Sequence, residues 1–238
     1  MLYEFVDKYL MPNLTDSIIK CLNLKTDKLI IFDIGCFKGN FSRNIKQKLN
    51  GKDNKFYLFD PNKNLNIKDF DYHKLAFSNK KEIANYYLND FFPSSGSSLK
   101  TAVKDDKLWN FTRKLFSLNF NKGFSSHKVQ TDILDNFCKE NKIDKIDILK
   151  IDAEESELDI LYGGKNILHN TNIIQIEIMD SKINFNEKSS RIYSFLKNNY
   201  DFEKITEKKI WSLSLLSKIR AKEVLFAKKD LNMFKIKE

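Results

Sequence analysis

Four acids, Asp33, Asp60, Asp152 and Glu177, stand at or near the ends of the short apolar runs 29–33, 56–60, 146–152 and 173–178. A carboxylate so placed can accept hydrogen bonds from ribose hydroxyls or take a proton from a reacting hydroxyl. Shared with a second carboxylate, it can also ligate a hard cation. In an open parallel sheet, ligands bind outside the carboxyl ends of the strands, so four acids there point to one site. Each acid alone reads equally well as a helix cap or a solvated loop residue, and the argument rests on their coincidence.

Directly after the first acid, Gly35 and Gly39 frame a G-x-x-x-G loop. Its ligand is a dinucleotide, a phosphate or S-adenosylmethionine (SAM). A nicotinamide site calls for G-x-G-x-x-G, with the backbone pressed close to a pyrophosphate, and Phe37 stands where that approach is needed. No G-x-x-x-x-G-K-[ST] loop occurs either. An acid ahead of the first glycine suits a cationic ligand better. Asp60 follows Gly39 at about the 20-residue spacing of a ribose-binding acid.

These residues need strands to carry them. Runs apolar on both faces, rich in isoleucine, read as buried parallel strands, and Phe41, Ile45 and Leu49 mark one face of a helix after the glycine loop. The alternation of strands and helices predicts an α/β fold, a mostly parallel twisted sheet with helices on both faces. A third strand is expected over 72–77, a period-two stretch over 83–88, a helix over 191–200 and a closing strand over 224–227. Thr131 or Asp132 should cap the helix before 146. Glu154, Glu155 and Glu157 should open the helix that Gly163 and Gly164 end. Residues 1–28 read as an N-terminal helical segment and about 90–127 as a substrate-side insertion with a serine-rich loop at 94–98, all within one domain over 1–238.

The chain of 238 residues carries a net charge of +9. Its lysines are scattered and its only arginines are Arg43, Arg113, Arg191 and Arg220, so a solvated surface accounts for the charge better than a nucleic-acid groove. Cys21, Cys36 and Cys138 are widely spaced, which gives no disulfide framework or metal pair. Without a leader-like segment or a run of membrane-spanning length, the expected location is the cytoplasm. His73, His127 and His169 read as ordinary surface positions, and Trp109 and Trp211 as core residues. Lys150 reads as an ion-pair partner or a substrate contact.

At this level the sequence resembles a known family. The stretch from Asp33 to Gly39 is similar to the D-x-G-x-x-x-G motif of SAM-dependent methyltransferases. Thr131 to Asp135, then Leu149-Lys150-Ile151-Asp152-Ala153-Glu154 with Glu157, Leu161 and Gly163, resembles the FkbM family pattern T-x-x-L-D followed by L-K-I-D-V-E-G-x-E-x-x-V-L-x-G. Leu75 to Ser78 and Ser95 to Leu99 resemble further family segments. The resemblance implies a Rossmann-like class I methyltransferase fold and an O-methyltransferase acting on a sugar hydroxyl in a nucleotide-sugar or surface-glycan precursor. It assigns Asp33, Gly35, Phe37, Gly39, Asp60 and Ser78 to SAM. Asp152 or Glu154 would act as general base, or Asp152 and Glu177, with Asp180 as a weaker third ligand, would hold Mg²⁺ or Mn²⁺. The partners expected are a small-molecule or nucleotide-sugar substrate, no membrane, and a second copy of the chain. A nucleic-acid methyltransferase or a non-enzymatic basic nucleic-acid-binding module is the alternative, although Pro12, Pro61 and Pro93 form neither the N/D-P-P-Y/F nor the Pro-Cys segment of base methyltransferases. Glu155 departs from the pattern, which has glycine there.

Overall fold

The structure is a computed structural model that describes residues 13–22, 28–49, 53–90, 97–100, 107, 110–111, 114–115, 123–181, 187–210 and 219–231. In chain order its elements are α1 (Thr15–Cys21), β1 (Ile30–Ile34), α2 (Asn40–Lys48), β2 (Lys55–Phe59), β3 (Asp71–His73), β4 (Ala76–Phe77), β5 (Ile83–Asn89) and β6 (Phe124–Asp132). They continue as α3 (Leu134–Glu140), β7 (Ile146–Ile151), α4 (Glu157–Gly163), β8 (Thr171–Ser181), α5 (Glu187–Tyr200), β9 (Phe202–Lys209) and β10 (Ile219–Lys228).

The main sheet has seven strands in the order β3-β2-β1-β7-β8-β10-β9. The first five run parallel, and β10 lies antiparallel to both β8 and β9. This is the mostly parallel, Rossmann-like sheet that the apolar runs predict. Every residue of β7 is buried, as befits a central strand covered on both faces. Neighbouring residues of β1 point to opposite cores. Phe32 joins the core roofed by Leu134, Phe137, Ile160, Leu161, Ile192 and Leu196 of α3, α4 and α5. Ile31 joins the other, under Ile18 of α1 and Ile45 of α2. Helices thus cover both faces.

Three strand readings need correction. The expected strand 72–77 is two strands, because the Leu75 N–H donates to the His73 carbonyl at 2.9 Å and turns the chain out of the main sheet. Ala76 and Phe77 then pair with Thr131 and Asp132, within a second, three-stranded sheet ordered β4-β6-β5. The period-two stretch is β5 of that sheet, and His127, read as a surface position, lies half-buried inside β6. β9 was not foreseen: Phe202 is its one fully buried residue, Ile205 is half-buried, and the others are polar or charged, as an exposed edge strand should be.

At the start of α3 the N-cap position is Ile133 and no side chain caps the helix, so neither Thr131 nor Asp132 does. Asp132 Oδ1 accepts the N–H of Ile133, one residue ahead of the helix, at 2.8 Å, while the Thr131 hydroxyl bonds back to the carbonyls of Lys80 and Glu82. Of the N-terminal segment, α1 packs on the body through Ile18 and Cys21. Of the expected insertion, most of 101–122, the serines at 94–95, Gly96 and Trp109 lie outside the described residues, as does Trp211. No helix among the described residues is long and apolar enough to cross a membrane.

Candidate active site

The glycine loop is shaped by strand ends on both sides. At Gly35 the backbone takes φ +75°, and a Cβ there would sit 1.7 Å from the Asp152 carbonyl oxygen. Only glycine lets the end of β7 come that close. The N–H groups of Gly35 and Cys36 both donate to the Phe59 carbonyl, at 2.9 and 3.1 Å, which fastens the loop to the end of β2. Phe37 and Gly39 are also left-handed, at φ +44° and +76°. That winding turns the Phe37 N–H toward Asp60 Oδ2 at 3.0 Å, while Asp60 Oδ1 accepts the Asn62 N–H at 2.9 Å. Each carboxylate oxygen keeps further acceptor capacity.

Burial pushes the Asp60 carboxyl up to about 6, against the two N–H donors, and Asp33 and Asp152 add to the rise. The ionised form is the better acceptor for a pair of ribose hydroxyls. S-adenosylhomocysteine should therefore bind with constant affinity above pH 6 and lose about tenfold per pH unit well below it, as titration calorimetry between pH 4.5 and 8 would measure. Affinity that stays flat across that range would remove Asp60 from the binding contact.

Asp33 is not at the surface of the cleft. It is fully buried, its Oδ2 accepts a 2.7 Å hydrogen bond from Ser42 Oγ of α2, and Lys150 Nζ lies 3.5 Å from its Oδ1. Gly39 and Ser78 likewise stand behind the lining. The Ser78 carbonyl is so close to Gly163 of α4 that a Cβ on that glycine would approach it to 2.3 Å. Of the residues the resemblance assigns to the cofactor, Gly35, Phe37 and Asp60 line a cleft of about 570 Å³.

The same cleft is lined by Asp152, Glu154 and Glu177. The Asp152 N–H donates to the Ile34 carbonyl at 2.9 Å, so the acid leaves β7 directly beside the glycine loop. Lys150, two residues earlier on the same face, places its ammonium 3.0 Å from Asp152 Oδ2. Burial works against ionisation of Asp152, but Lys150 and a hydrogen bond from Glu177 win and hold it below the usual carboxylate range. Glu177 shows the reverse: burial first, then the charge of Asp152, push it well above that range. The shifts run in opposite directions, with Asp152 favouring the ionised form and Glu177 the protonated one. Opposite Glu177 on β10, burial raises Glu223 to about 7, although Lys150 opposes it, and Glu223 accepts a hydrogen bond from the Gln175 amide.

This arrangement does not fit Mg²⁺ or Mn²⁺. The Asp152 carboxylate is engaged by Lys150 and Glu177, and among the described residues no group of three or more His, Cys, Asp or Glu side chains could hold a metal ion. Asp180 belongs to β8, with its side chain outside the described residues.

Glu154 and Glu155 do not open a helix; they form a left-handed turn ahead of it, at φ +45° and +79°. The conformation explains why the family pattern carries glycine at the position of Glu155. Here Glu157, fully buried at the start of α4, supports the turn: its Oε1 accepts the Glu155 N–H at 2.9 Å and its Oε2 takes the ammonium of Lys188 from α5. From the second sheet, the Ser98 hydroxyl donates to the Glu154 carbonyl. Glu155→Gly should relieve the strained φ and raise the unfolding free energy by about 1 kcal/mol, read from urea titration. A loss of stability would show that the Glu155 side chain contributes more than its backbone costs.

A family model, the methyltransferase FkbM domain, matches residues 33–204. The chain belongs to the FkbM methyltransferase family. The FkbM match opens on Asp33, at the end of β1, and runs into β9. Among solved structures, the FkbM methyltransferase of Methylobacillus flagellatus KT is similar at 10% identity with a TM-score of 0.48, over 93% of this chain and 50% of that one. This chain thus spans half the length of that protein. A precorrin-6y C5,15-methyltransferase from Geobacter metallireducens GS-15 is similar at 10% identity with a TM-score of 0.41, over 93% of each chain. No curated protein matches. Membership in the FkbM family implies use of SAM, and the residues present fit it. Asp60 offers acceptors for ribose hydroxyls, and the surplus of carboxylates suits a ligand that carries a sulfonium and an ammonium.

Sequence reasoning missed Gln175 and Glu223. Their signal was faint: an amide and an acid inside apolar strands, on the face that carries Lys150. It left Lys150 open, and the structure resolves it as an ion-pair residue between Asp152 and Asp33.

Proposed function

We propose that the protein is a SAM-dependent O-methyltransferase acting on a sugar hydroxyl in a nucleotide-sugar or surface-glycan precursor. The observation that supports this reading is one cleft holding the Gly35–Asp60 corner together with Asp152, paired with the Lys150 ammonium, and Glu177. When bound, SAM supplies a methyl group on positively charged sulfur. What remains for the chain is to orient the acceptor and remove its proton. Lys150 keeps Asp152 ionised, and the Asp152 side chain is 27% exposed. As the acceptor oxygen takes the methyl carbon and that carbon's bond to sulfur breaks, releasing S-adenosylhomocysteine, the hydroxyl proton would pass to that carboxylate and from there to solvent. Glu177 holds Asp152 in position through its own proton and so cannot be the base. Glu154, on the neighbouring turn, is the second candidate.

The crowd of carboxylates favours a small acceptor over a polyanion, which weighs against a nucleic-acid methyltransferase and against a basic binding module. Incubation with SAM and a panel of nucleotide sugars, read by mass spectrometry, should give a product heavier by one methyl group. Methylation of RNA, with no sugar in the panel modified, would overturn the reading.

A further inference from the structure

Two polar residues that line the cleft, Gln175 and Glu223, serve neither the SAM corner nor the proton transfer. Gln175 and Glu177 of β8 lie beside Glu223 of β10, with Glu177, which also positions Asp152, directly opposite Glu223. All three are buried, and Gln175 is only 4% exposed. The Gln175 amide donates to Glu223, while its Oε1 has no hydrogen-bond partner. The ammonium of Lys150 is taken by Asp152 and Asp33, and the proton of Glu177 by Asp152.

The hydrogen-bonding inventory at this end is therefore one-sided. An amide oxygen and carboxylate oxygens are available to accept, and the donors nearby are already used. A phosphate only accepts and carries the wrong charge. A hydroxyl donates once and leaves its own lone pairs facing acceptors. A protonated amine donates three times, accepts nothing, and would favour the ionised form of Glu223, which burial otherwise opposes.

We propose that Gln175, Glu177 and Glu223 form an acceptor subsite for a protonated primary amine, so that the sugar this enzyme methylates carries a free amine. The inference rests on the sugar-methyltransferase reading above. Calorimetry on the full chain saturated with S-adenosylhomocysteine would compare D-glucosamine, N-acetyl-D-glucosamine and D-glucose as probes, with magnesium chloride as a fourth arm. D-glucosamine should bind about tenfold more tightly than the other two sugars, the ratio expected of one charge-assisted hydrogen bond. Glu223→Gln should reduce that preference to about twofold while S-adenosylhomocysteine affinity is kept. Equal binding of the three sugars, no binding by any of them, or saturation by magnesium in place of the amine would overturn the subsite. Failure of the wild-type chain to bind S-adenosylhomocysteine would instead bring down the methyltransferase reading. The three-sugar comparison needs no variant, so poor folding of Glu223→Gln leaves the test intact.

Discussion

Gly35→Ala should abolish S-adenosylhomocysteine binding and lower the unfolding free energy by roughly 3 kcal/mol or more, because two costs meet at one atom. The backbone at this position has φ +75°, which an alanine adopts only with strain. The added carbon would also lie 1.7 Å from the Asp152 carbonyl oxygen, a backbone atom that no rotamer change can move aside. Relief requires β1 and β7 to part at their carboxyl ends, and these are adjacent strands in the middle of the main sheet. Parting them would pull the loop off its two hydrogen bonds to Phe59 and lift Phe37 from Asp60. Gly123→Ala is the control, since a Cβ there meets nothing within 4 Å and should change neither property. Urea unfolding and calorimetry on both variants give the comparison. A Gly35→Ala chain that binds the ligand as tightly as wild type would mean that the loop does not form the cofactor corner.

Asp152→Asn should lower kcat by about 10²- to 10⁴-fold while S-adenosylhomocysteine affinity stays within about tenfold. The amide matches the carboxylate in shape but cannot take up the hydroxyl proton. Lys150 keeps Asp33 as a counter-ion, so the variant does not strand a buried ammonium. Glu154→Gln should cost less than about tenfold, because it leaves Asp152, Lys150 and Glu177 as they are. The reverse ranking in single-turnover assays would transfer the base to Glu154. Equal and small losses in both variants would mean that the hydroxyl loses its proton to solvent and that the carboxylates only position it.

How much of this could be read from the chain depends on whether the cause was local. The strands β1, β2, β7 and β8 were legible because an unbroken apolar run has few other uses, and Gly35 because its neighbours in sequence already demanded a turn. The split between β3 and β4 was hidden, since it depends on a pairing with β6 some fifty residues further on, which no local period reports. Edge strand β9 was hidden for the opposite reason, as an exposed polar strand looks like a loop. In the site, Asp33 was legible as important and misleading about why. Its spacing is that of a ligand-binding acid, yet it is enclosed by Ser42 and Lys150, and enclosure is a tertiary fact. Glu177 was legible as an acid at a strand end, but not as the partner that keeps a proton so that Asp152 can stay without one.

The left-handed turn at Glu154 and Glu155 has a consequence for inheritance. The family pattern keeps an acid at the position of Glu157 even where glycine stands at 155, so the acid answers to more than the strained turn. Here it is fully buried and tied to Lys188 on the helix beyond β8. Positions 157 and 188 should therefore change together, whatever residue stands at 155. A chimera that takes α5 from a relative without a cation at 188 should fold its sheet and still present the cleft with a misshapen wall, because a buried carboxylate is left without its ammonium.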